Sequence, residues 1–169
     1  GGTTAGAYLL RRGLFMPWEL PKIIDPDLAS VGWKLLQPIV RLEKAISGFR
    51  NAENRVRILE TCFYLRNQLL RDADWAGMAH SLEIRVPFVD IELFKSLAPL
   101  LGTTLSPTKQ DMAKTLKTPL PSDILNRPKS GFFVPTERWL REIEARSNKK
   151  PESGLRGWAQ YVYKTQTTA

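Results

Sequence analysis

Apolar residues recur at intervals of three and four positions along most of this 169-residue chain, which is the spacing of one face of an α-helix. The longest such series runs from Ala52 to about Ala73. Its best-aligned apolar positions are Ile58, Cys62, Leu65 and Leu69. We expect a long central helix with a broad buried face, in which the cysteine is a small buried residue and not a nucleophile.

Local start and stop signals predict further helices on both sides of this one. Asp25 followed by Pro26 is typical of a helix start, with the aspartate as N-cap and the proline at the first helical position. Asp90 is expected to cap another helix, which ends at Gly102. A segment around Pro38 runs to Gly48, either as a new helix or as an interrupted one. Another helix starts at Ser106–Thr108 and is predicted to turn Met112 and Leu116 inward. The other predicted helical segments are Ala7–Phe15, Ser122–Leu125, Thr136 to about Arg146, and Leu155–Tyr163.

The pattern contains no convincing strand alternation and no internal repeat. The predicted fold class is therefore all-α, with many short helices and Pro-rich connections. The length and the 43% apolar fraction suffice for one domain with a core, so we expect a single helical domain over residues 1–169. A polar segment at 147–154 is expected to be a mobile linker before the terminal helix.

Composition narrows the chemistry. The net charge of +8 favours an anionic partner: nucleic acid, a membrane surface or a phosphorylated small molecule. One cysteine and one histidine exclude an internal disulfide and a His/Cys zinc site. His80 is expected to be a hydrogen-bonded core residue and not a ligand. The sequence has no apolar run of membrane length and no signal-peptide layout, so a cytoplasmic protein is expected.

The segment Ser81–Asp90 combines charge with stiff backbone. Ile84 separates Glu83 from Arg85, and Pro87 restricts the chain just beyond them. In an extended segment, side chains two positions apart point to the same side, so the two charges are predicted to lie together. Such a pair can bind a zwitterionic amino acid or place a base beside a phosphate anchor. The alternative is a structural ion pair beneath a helix cap.

The segment Leu125–Pro135 holds two cations at a fixed spacing. Pro128 lies between Arg127 and Lys129, and Gly131 permits a positive φ and the close approach of a ligand. Two such cations suit an anion, and a lysine suits a site where negative charge develops. The alternative is an exposed basic loop.

Several motifs, taken in order, carry a family resemblance. They read Y-L-R-N-Q-L-L-R-D-A-D at 64–74, M-A-H-S-L-E-I-R-V-P-F-V-D at 78–90 and L-N-R-P-K-S-G-F-F-V-P at 125–135, followed by Trp139-Leu140. In these motifs the chain resembles the glutamine-hydrolysing asparagine synthetase family, over the carboxy-terminal part of the synthetase domain. Tyr8–Pro21 is similar to the segment that leads into that part.

The resemblance implies a larger protein. A full member has an amino-terminal glutaminase domain with a cysteine nucleophile, and then an ATP-pyrophosphatase domain whose Ser-Gly-Gly-x-Asp-Ser loop grips pyrophosphate. Gly1-Gly2-Thr3-Thr4 lacks the acid and the flanking serines of that loop. The chain is therefore expected to be the helical carboxy-terminal fragment of an adenine-nucleotide α-hydrolase-like synthetase domain, and to be inactive alone.

The implied reaction converts aspartate and ATP to β-aspartyl-adenylate and pyrophosphate, after which ammonia from glutamine gives asparagine. ATP and Mg²⁺ are the implied cofactors, and the partners are these small molecules and the missing domains, with a homo-oligomer left open. By resemblance, Lys129 is the catalytic lysine of an Arg-x-Lys motif that begins at Arg127. Arg85 matches a substrate-site arginine, and Glu83 matches the neighbouring carboxylate in a supporting role.

One position departs from the family pattern. Many members read Asp-Arg-Met-Ser-Met-Ala-His, with the basic residue facing the nucleotide, where this chain has Trp75 after Asp74. Either another cation replaces it or the acceptor is not aspartate. The alternative function is a paralogous amidotransferase that acts on a sugar, a peptide or a secondary metabolite. A basic helical nucleic-acid-binding domain is a third hypothesis, supported by net charge alone, since no basic recognition helix or aromatic-basic stacking segment is found.

Overall fold

The computed structural model describes residues 2–128, 130–131, 134–147 and 154–167, with the backbone alone at 144–147. Within these ranges the chain is helical and has no strand, so the all-α prediction is confirmed. The α-helices are α1 (Thr4–Arg12), α2 (Pro26–Leu36), α3 (Pro38–Ile46), α4 (Ala52–Leu59), α5 (Arg71–Met78), α6 (Ile91–Leu97), α7 (Lys109–Lys114), α8 (Ser122–Leu125), α9 (Thr136–Ser147) and α10 (Gly154–Thr167). A π-helix covers Glu60–Leu70, and short 3-10 helices cover Leu20–Lys22, Pro87–Val89 and Ala98–Leu100.

The long helix predicted from periodicity is present and continues further than expected, from Ala52 to Met78. Its middle third, the π-helix, was not foreseen. The wider turn of a π-helix, with i→i+5 hydrogen bonds, rotates its side chains away from the stripe that a regular α-helix would form. The prediction of a broad buried face is consequently wrong. Leu59 is fully buried, whereas Leu69 is exposed. Cys62 is half-buried.

The predicted helix starts are confirmed at the level of hydrogen bonds. The Asp25 carboxylate accepts from the backbone N–H of Leu28 at 2.9 Å, and that of Asp90 accepts from Leu93 at 2.8 Å. Pro38 opens α3. Thr108 begins α7 through a capping box, in which its hydroxyl accepts from the backbone of Asp111 and the Asp111 carboxylate accepts from the backbone of Thr108.

Contacts divide the chain into two units, each with a small buried centre. The first unit joins Gly1–Tyr8 to Ile39–Pro128. Its buried apolar side chains come from α1, α3 and α4: Ala5, Tyr8, Leu42, Ile46 and Leu59. The phenolic hydroxyl of Tyr8 donates to the carbonyl oxygen of Leu59 at 3.1 Å, which fixes α1 against the end of α4.

The second unit joins Leu9–Pro38 to Lys129–Ala169. Ala29, Thr136 and Leu140 are buried in it. Trp139 and Trp158 pack α9 against α10, with ring centroids 5.3 Å apart. The single domain expected over 1–169 and the linker expected at 147–154 stay predictions, and residues 148–153 lie outside the described residues.

Many large apolar side chains of the described residues are exposed to water. Met112 of α7 and Leu116 just after it, both predicted to face inward, are exposed instead. The other exposed apolar side chains include Leu28, Val31, Leu35 and Leu36 of α2, Val40 of α3 and Phe94 of α6. No described residue covers these side chains, so the core expected within this chain is small in its described part.

Candidate functional site

The first charged segment begins where α5 ends. The backbone N–H of Leu82 donates to the carbonyl oxygen of Gly77 at 2.9 Å, and Ser81 takes a left-handed conformation with φ 57°. The chain thereby turns back over Gly77. A Cβ at that glycine would lie 2.7 Å from the Leu82 carbonyl oxygen and 3.1 Å from the Ile84 side chain. The glycine therefore allows the returning segment to lie directly on the helix.

The predicted pairing of Glu83 with Arg85 is confirmed. The arginine donates through Nε to Oε1 at 3.1 Å and through Nη2 to Oε2 at 3.4 Å. The Glu83 side chain is 72% exposed and the Arg85 side chain is 84% exposed. The pair is thus not buried beneath the cap of α6, which Asp90 makes with Leu93. A pair so exposed contributes little to stability.

The second charged segment follows α8. Arg127 is exposed, and its backbone N–H donates to the Ile124 carbonyl oxygen at 3.4 Å. In the described part of the chain, no hydrogen bond or ion pair joins it to Glu83 or Arg85. Lys129 lies outside the described residues. Gly131 has open space around a Cβ and no positive φ, and the approach of a ligand there stays a prediction.

His80 is exposed, so its prediction as a core residue is wrong. It lies in the turn after α5 and not on a covered helix face.

Trp75 is 67% exposed on α5. The guanidinium carbon of Arg71 lies 5.1 Å from its ring centroid, a cation–π contact across one helical turn. Arg71 therefore places a cation beside Trp75, the position at which many family members carry a basic residue.

A cleft in the first unit was missed by sequence reasoning. It encloses about 650 Å³ between α4, the following π-helix and α6 with its 3-10 extension. Its apolar walls are formed by Phe49, Val56, Ile58, Phe94, Ala98 and Leu101. Two of its residues, Asn54 and Arg57, each hold a buried polar atom without a partner. No local signal predicts the cleft, because it exists only where two segments about forty residues apart come together.

The described residues contain no group of three or more His, Cys, Asp or Glu side chains that could hold a metal ion. In the same residues, no helix combines the length and the apolar character that a membrane span requires.

Most of this chain is similar to known proteins. The model of the asparagine synthase family matches residues 12–166. A putative glutamine-hydrolysing asparagine synthetase of Mycobacterium tuberculosis, and one of Mycobacterium bovis, are 39% identical over 131 residues, which is 75% of this chain and 18% of each relative. Glutamine-hydrolysing asparagine synthetase 1 of Bacillus subtilis is 35% identical over 91 residues, 52% of this chain and 14% of that protein. The chain thus spans about a fifth or less of the length of these relatives, and no solved structure matches it.

Proposed function

The chain belongs to the asparagine synthase family, and we propose that it is the helical part of an ATP-dependent amidotransferase that makes asparagine. In this proposal the enzyme adenylates the side-chain carboxylate of aspartate and then transfers glutamine-derived ammonia to it. The observation that carries the proposal is the Glu83–Arg85 pair, held outward within the matched residues 12–166. Because the chain spans 18% of its mycobacterial relatives, the pyrophosphate and ammonia sites are assigned to the rest of such a polypeptide.

Arg85 is proposed to bind an anionic group of the substrate or the nucleotide. A guanidinium has five N–H donors in a rigid fork, and Glu83 engages the Nε and Nη2 groups. The remaining donors can meet a carboxylate or phosphate while the glutamate fixes the plane of the fork. Glu83 is therefore a positioning residue in this proposal.

Lys129 and Arg127 are proposed to meet the charge that develops on ATP. Attack by the aspartate carboxylate on the α-phosphorus spreads negative charge over the phosphoryl oxygens, which a nearby cation stabilises. Pro128 restricts the backbone between the two residues. Mg²⁺ is proposed to be held with the nucleotide, mostly by the rest of the synthetase, through phosphate oxygens and one or two carboxylates. A cytoplasmic location and self-association stay predictions.

The alternative acceptor is favoured by one observation. Trp75 presents an exposed aromatic face on α5, and Arg71 is stacked on it. A flat aromatic ring binds a sugar or a larger metabolite better than it binds aspartate. If Arg71 supplies the cation that the family pattern expects one turn later, aspartate remains the acceptor. Pyrophosphate release with aspartate, compared with release on addition of sugars or peptides that carry a carboxylate, separates the two.

The test uses a chimera in which the matched part of this chain replaces its 131-residue counterpart in the M. tuberculosis relative. We expect aspartate-dependent pyrophosphate release, and a loss of at least about 100-fold in Lys129→Ala because charge on the phosphoryl group loses its cation. Glutamine hydrolysis should persist. Lys114→Ala, at an exposed lysine of α7, is the matched control and should keep full activity. Near wild-type pyrophosphate release in Lys129→Ala would show that the role is wrongly assigned.

A further inference from the structure

Helix α2 presents an apolar stripe to solvent. Because successive residues of an α-helix are about 100° apart, Leu28, Val31 and Leu35 fall within an arc of about 60°. Leu28 is 56% exposed, Val31 is 52% exposed and Leu35 is 74% exposed. Ala29, which lies on another side of the helix, is buried in the second unit. The helix thus packs on its own unit through one side and leaves the stripe as a separate surface.

Gly32 forms a gap at the middle of this stripe. A Cβ added to the glycine meets no atom within 4 Å, so the space above it is open. The distance between two packed helices depends on the side chains at their contact, and a small residue lets them come closer. The centre of the stripe therefore consists of a bulky residue, Val31, beside a gap.

The stripe is complementary to itself under a two-fold axis. If two copies of α2 run antiparallel and the axis passes between positions 31 and 32, Val31 of each copy lies opposite Gly32 of the other. The same axis places Leu28 of each copy opposite Leu35 of the other. A two-fold symmetric interface requires such self-matching of one surface patch.

Two charged residues on one flank of the stripe fit the same arrangement. Asp27 and Lys34 are exposed, lie near opposite ends of α2 and are about 20° apart around its axis. Within the described part of the chain, neither side chain forms an ion pair. In the antiparallel pair, Asp27 of each copy faces Lys34 of the other with an offset of about 3 Å along the axis, which the lysine side chain spans. A parallel pair would not bring these two residues together.

We propose that two copies of this chain associate through α2 in this antiparallel, two-fold symmetric arrangement. The net charge of +8 opposes association in general. The contact itself is balanced, however, because α2 and its N-cap carry two aspartates and one lysine. Eleven helical residues span about 16 Å, so the interface is small and the dimer is weak and dependent on concentration. The proposal goes beyond the proposed reaction and does not depend on it.

Charge reversal tests the pairing of the flanks. Asp27→Lys leaves two lysines on the flank of each copy, and Lys34→Asp leaves two aspartates. We expect each variant of the 169-residue chain to associate at least tenfold more weakly than wild type in sedimentation equilibrium. An equimolar mixture of the two variants should recover the dimer, since every facing pair then joins unlike charges. A mixture that stays as weak as its components, or a wild-type chain that is monomeric at about 1 mM, would overturn the proposal.

Two leucines of almost equal exposure test the apolar contact. Leu35→Gln should raise the dissociation constant at least tenfold, because both symmetric leucine contacts lose apolar surface. Leu105→Gln is the matched control, at a leucine that is 73% exposed in the first unit, and should leave the constant unchanged. Equal weakening by both substitutions would contradict the proposal, because it would indicate unspecific apolar association.

Cysteine cross-linking tests the register and does not depend on the charge variants. Cys62 is replaced by serine, and a Leu28→Cys chain is mixed with a Leu35→Cys chain under mild oxidation. Peptide mass spectrometry should find a disulfide between positions 28 and 35. It should find none from 28 to 28 or from 35 to 35, since these positions are offset by about 10 Å along the axis. Links between like positions would indicate a parallel pair and overturn the proposal.

The same cross-linking in a chimera built to include α2 separates a second copy from other occupants of the stripe. We expect the disulfide between positions 28 and 35 to form there as well. If it forms in the 169-residue chain but not in the chimera, the rest of the longer polypeptide covers α2 and the proposal is wrong. The outcome is independent of pyrophosphate release, so failure of the pairing and failure of the proposed reaction are told apart.

Discussion

Arg156 of α10 forms an ion pair with Glu19, with Nη2 2.6 Å from Oε1. Nη1 of the arginine also donates to the carbonyl oxygen of Leu14 at 3.2 Å, and the guanidinium lies over the Phe15 ring at 4.7 Å. Glu19 in turn accepts from the backbone N–H of Met16 at 2.7 Å. Both charged side chains are partly buried. One arginine thus fixes the terminal helix to a segment about 140 residues earlier in the chain.

The first prediction concerns pH. Hydrogen bonds from the Arg156 guanidinium, and then from the Met16 backbone, hold the pKa of Glu19 below its ordinary value. The stabilisation is therefore complete above the ordinary glutamate pKa of about 4.3 and is lost as pH falls through it toward the lower folded-state pKa. The melting temperature of the wild-type chain should fall more steeply between pH 6 and pH 3 than that of Glu19→Gln. Glu92→Gln, which alters an exposed pair, should keep the wild-type slope. Identical slopes for wild type and Glu19→Gln would contradict the assignment.

The second prediction concerns Gly77, on which the charged segment rests. Gly77→Ala should destabilise the chain by about 1–3 kcal/mol, because the new methyl group meets the Leu82 carbonyl oxygen at 2.7 Å and backbone must move. Urea unfolding measures this cost. Gly32→Ala within α2, where a Cβ meets nothing, should instead stabilise by about 1 kcal/mol. Similar changes in the free energy of unfolding for the two substitutions would contradict this prediction, because they would show that the segment 81–90 moves away from position 77 at little cost.

A third prediction concerns the start of α2. Asp25→Ala should lower the free energy of unfolding by about 1 kcal/mol, since the Leu28 N–H loses the carboxylate that caps it. Asp25→Asn keeps an oxygen acceptor and should remain close to wild type. Thermal unfolding of the three proteins side by side checks this. An equal loss in both variants would assign the effect to the negative charge and not to the cap.

The fourth prediction concerns the junction of α4 with the π-helix. The Tyr8 hydroxyl donates to the Leu59 carbonyl oxygen one residue before the π-helix begins. Tyr8→Phe removes this buried donor and should cost about 1–3 kcal/mol. Hydrogen exchange of the amides at 60–64 should accelerate with it. Tyr163→Phe, on α10 in the other unit, should leave these amides unchanged. Unaltered exchange in Tyr8→Phe would show that the junction does not depend on the hydroxyl.

Local interactions explain why the sequence predicted so many helix boundaries correctly. Asp25 and Asp90 each cap a helix through an amide three residues ahead, so both partners are encoded within one turn. The same holds for the Glu83–Arg85 pair, whose spacing of two in an extended segment brings the charges together. Family membership was equally visible, because it depends on the order of short motifs and not on their contacts.

Burial was predicted poorly for a physical reason. An apolar stripe shows which face of a helix avoids water but not what covers it. Leu35 and Leu28 lie on such a stripe and are exposed, because their covering surface is not among the described residues. His80 was placed in a core for the same reason. Periodicity likewise gave no sign of the π-helix, since its hydrogen-bond register depends on the surroundings of the helix.

By itself, then, the sequence determined the helices, their caps, the charge pair and the family, all of which depend on residues a few positions apart. Only the tertiary structure decided the ion pair between Arg156 and Glu19, the packing of the charged segment on Gly77 and the cleft between Phe49 and Phe94. These contacts join residues that neither propensity nor spacing links. They form where the packing of helices brings distant side chains within a few ångströms of each other.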